Sequence, residues 1–198
     1  MLIRRQTWRV MVLAGCLAGM VQGEPKAPGT GQTVVTSKTL EFDYQRHVAI
    51  FETNVEVIDP VIRLKSDRLQ ILFSSSNEVK SVTATGNVNL WHEGSRAVCR
   101  KAVYLVQDGE VVLMGDVVLR NGDRVGTCES ARYRLGKSEA HMNGNASLRR
   151  PGDTVHADSI VFQLANGDIH DVKATGRVRM EHTGTTVAPE GVNSVEGL

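Results

Sequence analysis

The sequence predicts an all-β protein made of stacked antiparallel strands, and three observations predict it. Apolar residues alternate with polar ones over short runs, the period of a strand with one face in a core. Gly-polar dipeptides interrupt those runs where a strand must bend. The combined pattern also recurs. Around Gly86, Val82 and Ala84 stand four and two residues before, and Val88 and Leu90 two and four after. The same arrangement surrounds Thr53, Gly115, Gly144 and Gly176, at steps of 33, 29, 29 and 32 residues. A repeat of this length means that each copy buries its apolar face only against its neighbours.

Taken in order, the chain of 198 residues opens on an export signal over residues 1–23. Arg4, Arg5 and Arg9 precede an apolar run over residues 10–21, too short for a membrane span, which needs ~20 residues. Val21-Gln22-Gly23 offers a cleavage site before Glu24, and Leu13-Ala14-Gly15-Cys16 offers the alternative of a lipid-modified Cys16. The apolar residues following Cys16 place plain cleavage first. Loss of three arginines lowers Lys+Arg from 23 to 20 against 22 acids, a charge near −2 in place of +1. No basic field remains to hold nucleic acid. Residues 24–33 form a flexible leader rich in Pro and Gly, and residues 182–198 a disordered tail without periodicity.

Residues 34–181 hold the repeats. Before each reference position lies a second apolar pair, read as Leu40/Phe42, Leu69/Ile71, Val103/Leu105, Ala131/Tyr133 and Ile160/Phe162. A small residue and a polar one precede most pairs: Ser37-Lys38, Ser66-Asp67, Cys128-Glu129 and Ala157-Asp158. The third repeat departs, with Arg100-Lys101 there. Asp108-Gly109, Asn121-Gly122, Gly152-Asp153 and Asn166-Gly167 supply turns between strands.

Little here is arranged for catalysis. Asp67, Glu129 and Asp158 recur in equivalent slots. A glycoside-cleaving pair could be drawn from them, but a residue repeated once per rung reads as architecture. The six histidines fall at unrelated points of the repeat, where a metal site needs three or four converging ligands. No nucleophile elbow or phosphate-binding loop is present. Cys99 and Cys128 lie one repeat apart; their different offsets from the following apolar pair favour two inert, half-buried thiols over a bridge. The functional candidate that remains is the apolar ladder itself.

Three stretches carry a resemblance: Leu40-Glu41-Phe42-Asp43-Tyr44 with Phe51-Glu52-Thr53-Asn54-Val55, Ser66-Asp67-Arg68-Leu69 with Ala84-Thr85-Gly86-Asn87-Val88, and Ala157-Asp158-Ser159-Ile160 with Ala174-Thr175-Gly176-Arg177-Val178. Over residues 34–181 the chain resembles the OstA-like family, the periplasmic lipopolysaccharide-transport proteins typified by LptA. The resemblance implies a folded-over antiparallel β-jellyroll, or β-taco, with an open apolar groove, no enzymatic activity and no cofactor. It implies partners too: the acyl chains of lipid A, other OstA-like proteins of the inner and outer membranes, and copies of the same chain stacked end to end.

The groove residues expected on this reading are Leu40, Phe42, Phe51, Val55, Leu69, Ile71, Val88, Leu90, Val103, Leu105, Leu113, Val117, Tyr133, Met142, Ile160 and Phe162. Arg63, Lys65, Arg96 and Arg100 are expected on its rim, toward anionic headgroups. Two departures from the family pattern stand out. Thr53 replaces the first glycine, and Gly126, Ala131 and Ala146 thin the wall of the fourth repeat. An exported self-assembling β-protein with a solid core is the alternative reading.

Overall fold

A computed structural model describes residues 32–183 apart from 93, 166 and 167. The export signal with Cys16, most of the leader, the Asn166-Gly167 turn and nearly all of the tail lie outside the described residues. Twelve strands form one antiparallel sheet: β1 Val34–Thr36, β2 Thr39–Asp43, β3 Val48–Ile58, β4 Ile62–Phe73, β5 Val79–His92, β6 Ser95–Leu105, β7 Glu110–Asn121, β8 Arg124–Arg134, β9 Glu139–Arg150, β10 Asp153–Ala165, β11 Asp168–Thr175 and β12 Arg179–His182. Among the described residues the only helical turn is the single 3-10 turn Leu135–Lys137.

From β3 to β10 each strand pairs with the next in the chain, the order that short turns allow. At one end β1 and β2 both pair with β3, and at the other β11 and β12 both pair with β10. The sheet therefore does not close and keeps two edges.

Every second long strand carries an irregularity near its middle. In β5 the register slips between Thr85 and Val88, where Gly86 and Asn87 both take the left-handed backbone region (φ 77° and 47°). The same slip falls in β3, β7 and β9 at the other reference positions. Inserting residues into one strand opposite fewer in its neighbour kinks the sheet locally. Because the bulges occupy matching positions on alternate strands, they line up as a crease across the sheet. At the edges the crease becomes a break, dividing β1 from β2 and β11 from β12.

Glycine at the bend answers a steric demand as well as a torsional one. A Cβ at Gly86 would collide with the Asp67 carboxylate of the neighbouring strand, and at Gly176 with that of Asp158. The recurring acids thus lie across the crease glycines and bond the next residue. Asn87 Nδ2 donates to Asp67 Oδ2 (2.9 Å), and Asn145 Nδ2 to Glu129 Oε1 (2.8 Å). Arg177 donates to Asp158 through its backbone N (3.1 Å) and its Nε (3.0 Å). In the third repeat the charges are exchanged, Arg100 Nε lying 3.2 Å from Asp116 Oδ2. The third repeat therefore does not depart at Arg100-Lys101; its slot is Cys99-Arg100 and is regular.

The crease divides the sheet into two wings. The first carries residues 48–52, 68–73, 79–85, 101–105, 110–114, 130–134, 139–143 and 159–163. The second carries residues 55–58, 62–66, 88–92, 95–99, 117–121, 124–128, 146–150 and 153–157. Apolar residues from both join one core, Leu69, Ala84 and Leu113 from the first with Val55, Val88 and Val117 from the second. Met142 of the first wing reaches the second, its Cε 3.1 Å from where a Cβ on Gly126 would stand. The sheet is folded onto itself along the crease, an unclosed β-jellyroll, as expected. Burying each Val or Leu in that fold contributes roughly 1.5–3 kcal/mol.

Candidate functional site

The inner face between the wings has a floor beside the crease; burial falls toward both strand ends in β5 and β7, whereas β4 stays buried through Leu69, Ile71 and Phe73 and β9 through Ala140. Along β5, Val88 is fully buried beside the crease, Leu90 is half-buried, and His92 ends the strand. Toward the other end Ala84 is buried, Val82 half-buried and Lys80 exposed. β7 repeats the gradient, from Leu113 and Val117 on the floor to Val111 and Leu119 on the lips. In β9, Ala146 is on the floor and Leu148 on the lip. A pleated strand leaves alternate residues on one face, and a folded sheet is narrowest at its fold. The result is an apolar trough between the wings, buried beside the crease and only partly covered at Val82, Leu90, Val111, Leu119 and Leu148.

Most of the residues expected in a groove lie on the inner face of the folded sheet. Val55, Leu69, Ile71, Val88, Leu113, Val117, Met142, Ile160 and Phe162 are buried in the core, and Phe42, Phe51, Leu90 and Tyr133 pack against it half-buried. Leu40 pairs with Phe51 on the same face but stands at the edge of the sheet, 59% exposed.

Val103 and Leu105 do not face the trough. In the β5–β6 register Ala84 is opposite Ala102 and Val82 opposite Tyr104, so Ala102 and Tyr104 point inward. Val103 and Leu105 point outward, opposite Thr83 and Ser81. One residue of displacement reverses a strand's face. The residue that sets the phase is the small one at the crease: Ser66, Cys99, Cys128 and Ala157 are all buried there. Counted from it, inward positions fall at minus two and plus three, which also yields Leu64 and Ala97 among residues missed in the sequence. A cysteine standing for a serine concealed this equivalence.

The two thiols accordingly share a face, contrary to the phase difference expected from their offsets. They are free nonetheless. They sit on β6 and β8 with β7 between, about 10 Å apart at ~4.8 Å per strand, beyond disulfide reach. Cys99 Sγ donates to the Lys101 carbonyl (3.3 Å). Burial raises both thiols, Cys128 to about 11.

The four expected rim cations are not on the concave side. Arg63 and Lys65 flank the buried Leu64, and Arg96 adjoins the buried Ala97, so alternation turns all three onto the outer face of the second wing. Arg63 Nε donates to Glu56 Oε1 (2.8 Å), and this pairing chiefly lowers the Glu56 carboxyl. Arg96 donates to Asn89 Oδ1 (2.6 Å). Arg100 lies on the crease with Asp116. Among the described residues no group of three His, Cys, Asp or Glu converges as a metal would require.

A folded, edge-open sheet with a graded apolar trough is the geometry against which known families can be compared. The family model described as "LptA/(LptD N-terminal domain) LPS transport protein" matches residues 34–168. The chain belongs to this family. The matched span runs from the first residue of β1 to the start of β11 and so takes in the trough. No curated protein matches the chain. Among solved structures, LptH, the LptA homologous periplasmic component of the conserved lipopolysaccharide transport device of Pseudomonas aeruginosa, superposes with a TM-score of 0.49 at 14% identity. That alignment covers 75% of this chain and 92% of that one. Membership places the protein among lipopolysaccharide transport proteins, a family of carriers.

Proposed function

We propose that this LptA-family chain is exported to the periplasm by the signal over residues 1–23 and holds the acyl chains of lipopolysaccharide in the trough. The observation that supports the reading is the set of half-buried apolar side chains packed against the core between the wings. Side chains at the floor hold the wings together without a ligand, while Val82, Leu90, Val111, Leu119 and Leu148 present apolar surface that only the lips can share with a guest. Each CH₂ taken from water against them contributes about 0.8 kcal/mol. A chain of a dozen such groups is held firmly yet can slide, because apolar contact has no preferred register.

The two edges support end-to-end assembly with copies or with other family members. Leu40 and Tyr44 are exposed at the β2 edge, and Val172, Val178 and Met180 at the edge formed by β11 and β12. Unpaired strand edges flanked by apolar side chains favour strand addition, which would continue the trough from one molecule into the next.

Mass spectrometry of the protein purified from its own envelope tests the reading. A phosphorylated, multiply acylated glycolipid in near-stoichiometric amount, on a chain beginning at Glu24, is expected. Lipid-free assemblies of the chain alone would instead identify a structural protein with a solid core.

A further inference from the structure

The outer face of the second wing carries a row of cations that the trough does not use. Cross-strand pairing places Arg63, Trp91, Arg96, Arg120, Val125 and Arg149 side by side from β4 to β9. Lys65 stands in the adjoining row with Val98 and Val118. The guanidinium of Arg96 lies 5.2 Å from the Trp91 ring centroid and that of Arg63 lies 6.0 Å from it. Glu56 meets both Arg63 and Lys65. Arg96, Arg120 and Arg149 are exposed and have no carboxylate within ion-pair distance among the described residues.

The first wing's outer face differs. There most cations are matched: Arg68 with Glu52 (2.6 Å), Arg132 with Glu110 (3.2 Å), and Arg134 with Glu110 and Glu139 (3.3 and 3.4 Å), Lys101 alone of these strands' outward cations having no carboxylate within ion-pair distance among the described residues. The two outer faces of one folded sheet are thus electrostatically unlike, in a chain close to neutral overall.

We propose that the outer face of the second wing docks on an anionic bilayer surface. Six adjacent strands at ~4.8 Å each spread the row over about 24 Å, wider than a single headgroup and suited to a plane of phosphates. Arginines interleaved with tryptophan and valine are the composition of an interfacial surface, where the cations meet phosphates and the apolar groups enter the headgroup layer. A strand-adding peptide would use the sheet edges; this face has every backbone group already paired with neighbouring strands. The inference stands apart from the trough reading, since it concerns the opposite face of the same strands.

Co-sedimentation of the full chain with vesicles tests it, comparing phosphatidylcholine containing one third phosphatidylglycerol with pure phosphatidylcholine. Binding to the anionic vesicles only is expected, fading as salt rises. Each arginine near such a surface is worth about fivefold in partitioning, so Arg96→Ala with Arg120→Ala weakens it roughly 25-fold. The pair Lys101→Ala and Arg132→Ala, on the other outer face, leaves it unchanged. Leu119→Asp, on the concave lip, also leaves it unchanged while impairing lipopolysaccharide binding, which separates the two readings. Equal binding to uncharged vesicles, equal loss in both variant pairs, or capture of polyglutamate without vesicle binding would overturn the proposal.

Discussion

Replacing Met142 with alanine removes the side chain that bridges the wings where the opposite wall is thinnest. Met142 is wholly buried, and the Cβ position of Gly126 lies 3.1 Å from its Cε and 3.2 Å from its Sδ. Deleting a buried Met to Ala costs about 2–5 kcal/mol, and a glycine opposite leaves nothing to collapse into the void, so about 3–4 kcal/mol is expected. Gly126→Val alone forces new atoms against Met142, costing about 1–3 kcal/mol. Combined, the added valine occupies the space vacated by methionine. The double variant should therefore lose about 2 kcal/mol less than the sum of the single losses. Urea unfolding followed by circular dichroism measures all four proteins. With a slope of about 2 kcal/mol per molar urea, the coupling appears as a midpoint difference near 1 M. Strict additivity would mean that the wings are not apposed at this point, and the folded-over description would be wrong.

Other expectations concern the crease and the buried groups. Thr53 holds a left-handed backbone (φ 66°) where later repeats have glycine, so Thr53→Gly should stabilise by about 1 kcal/mol in the same unfolding assay. Gly86→Ala should destabilise by about 2 kcal/mol or more, since it adds torsional strain to a clash with Asp67. Hydrogen bonds from Arg177 hold Asp158 below its ordinary value, and those from His182 and Arg150 do the same for Asp153. Depressed carboxylates contribute stability above their unfolded value, and it is lost as pH falls through the folded one. The urea midpoint should therefore drop below about pH 4, less steeply in Arg177→Ala. Cys99 and Cys128, raised by burial, should resist iodoacetamide at pH 8 until the chain is unfolded.

How much of this was legible in the sequence follows from what each residue signals. The reference glycines announce the crease because only a left-handed bend selects them repeatedly, and the flanking alternation then gives the facing of Val82, Ala84, Val88 and Leu90. The third repeat misled for a physical reason: Val103 and Leu105 are more hydrophobic than Ala102 and Tyr104, and hydrophobicity alone does not fix phase. Phase is set by the small buried crease residue, which varies between serine, cysteine and alanine. The cations were misplaced differently. Arg63 and Arg96 alternate strictly with the inward Leu64 and Ala97, so their outward facing follows only once those two small-to-medium apolar residues are placed in the core. That the wings approach closely enough for Met142 to meet Gly126 depends on tertiary folding, which no local pattern records.

The central claim is that glycolipid acyl chains lie between the wings, and site-specific photocrosslinking tests it most directly. A photoreactive residue placed at Leu90 or Leu119, on the lips, should crosslink lipopolysaccharide, while one at Val103 or Leu105 on the outer face should not. Equal labelling from both faces, or labelling confined to protein chains, would contradict it.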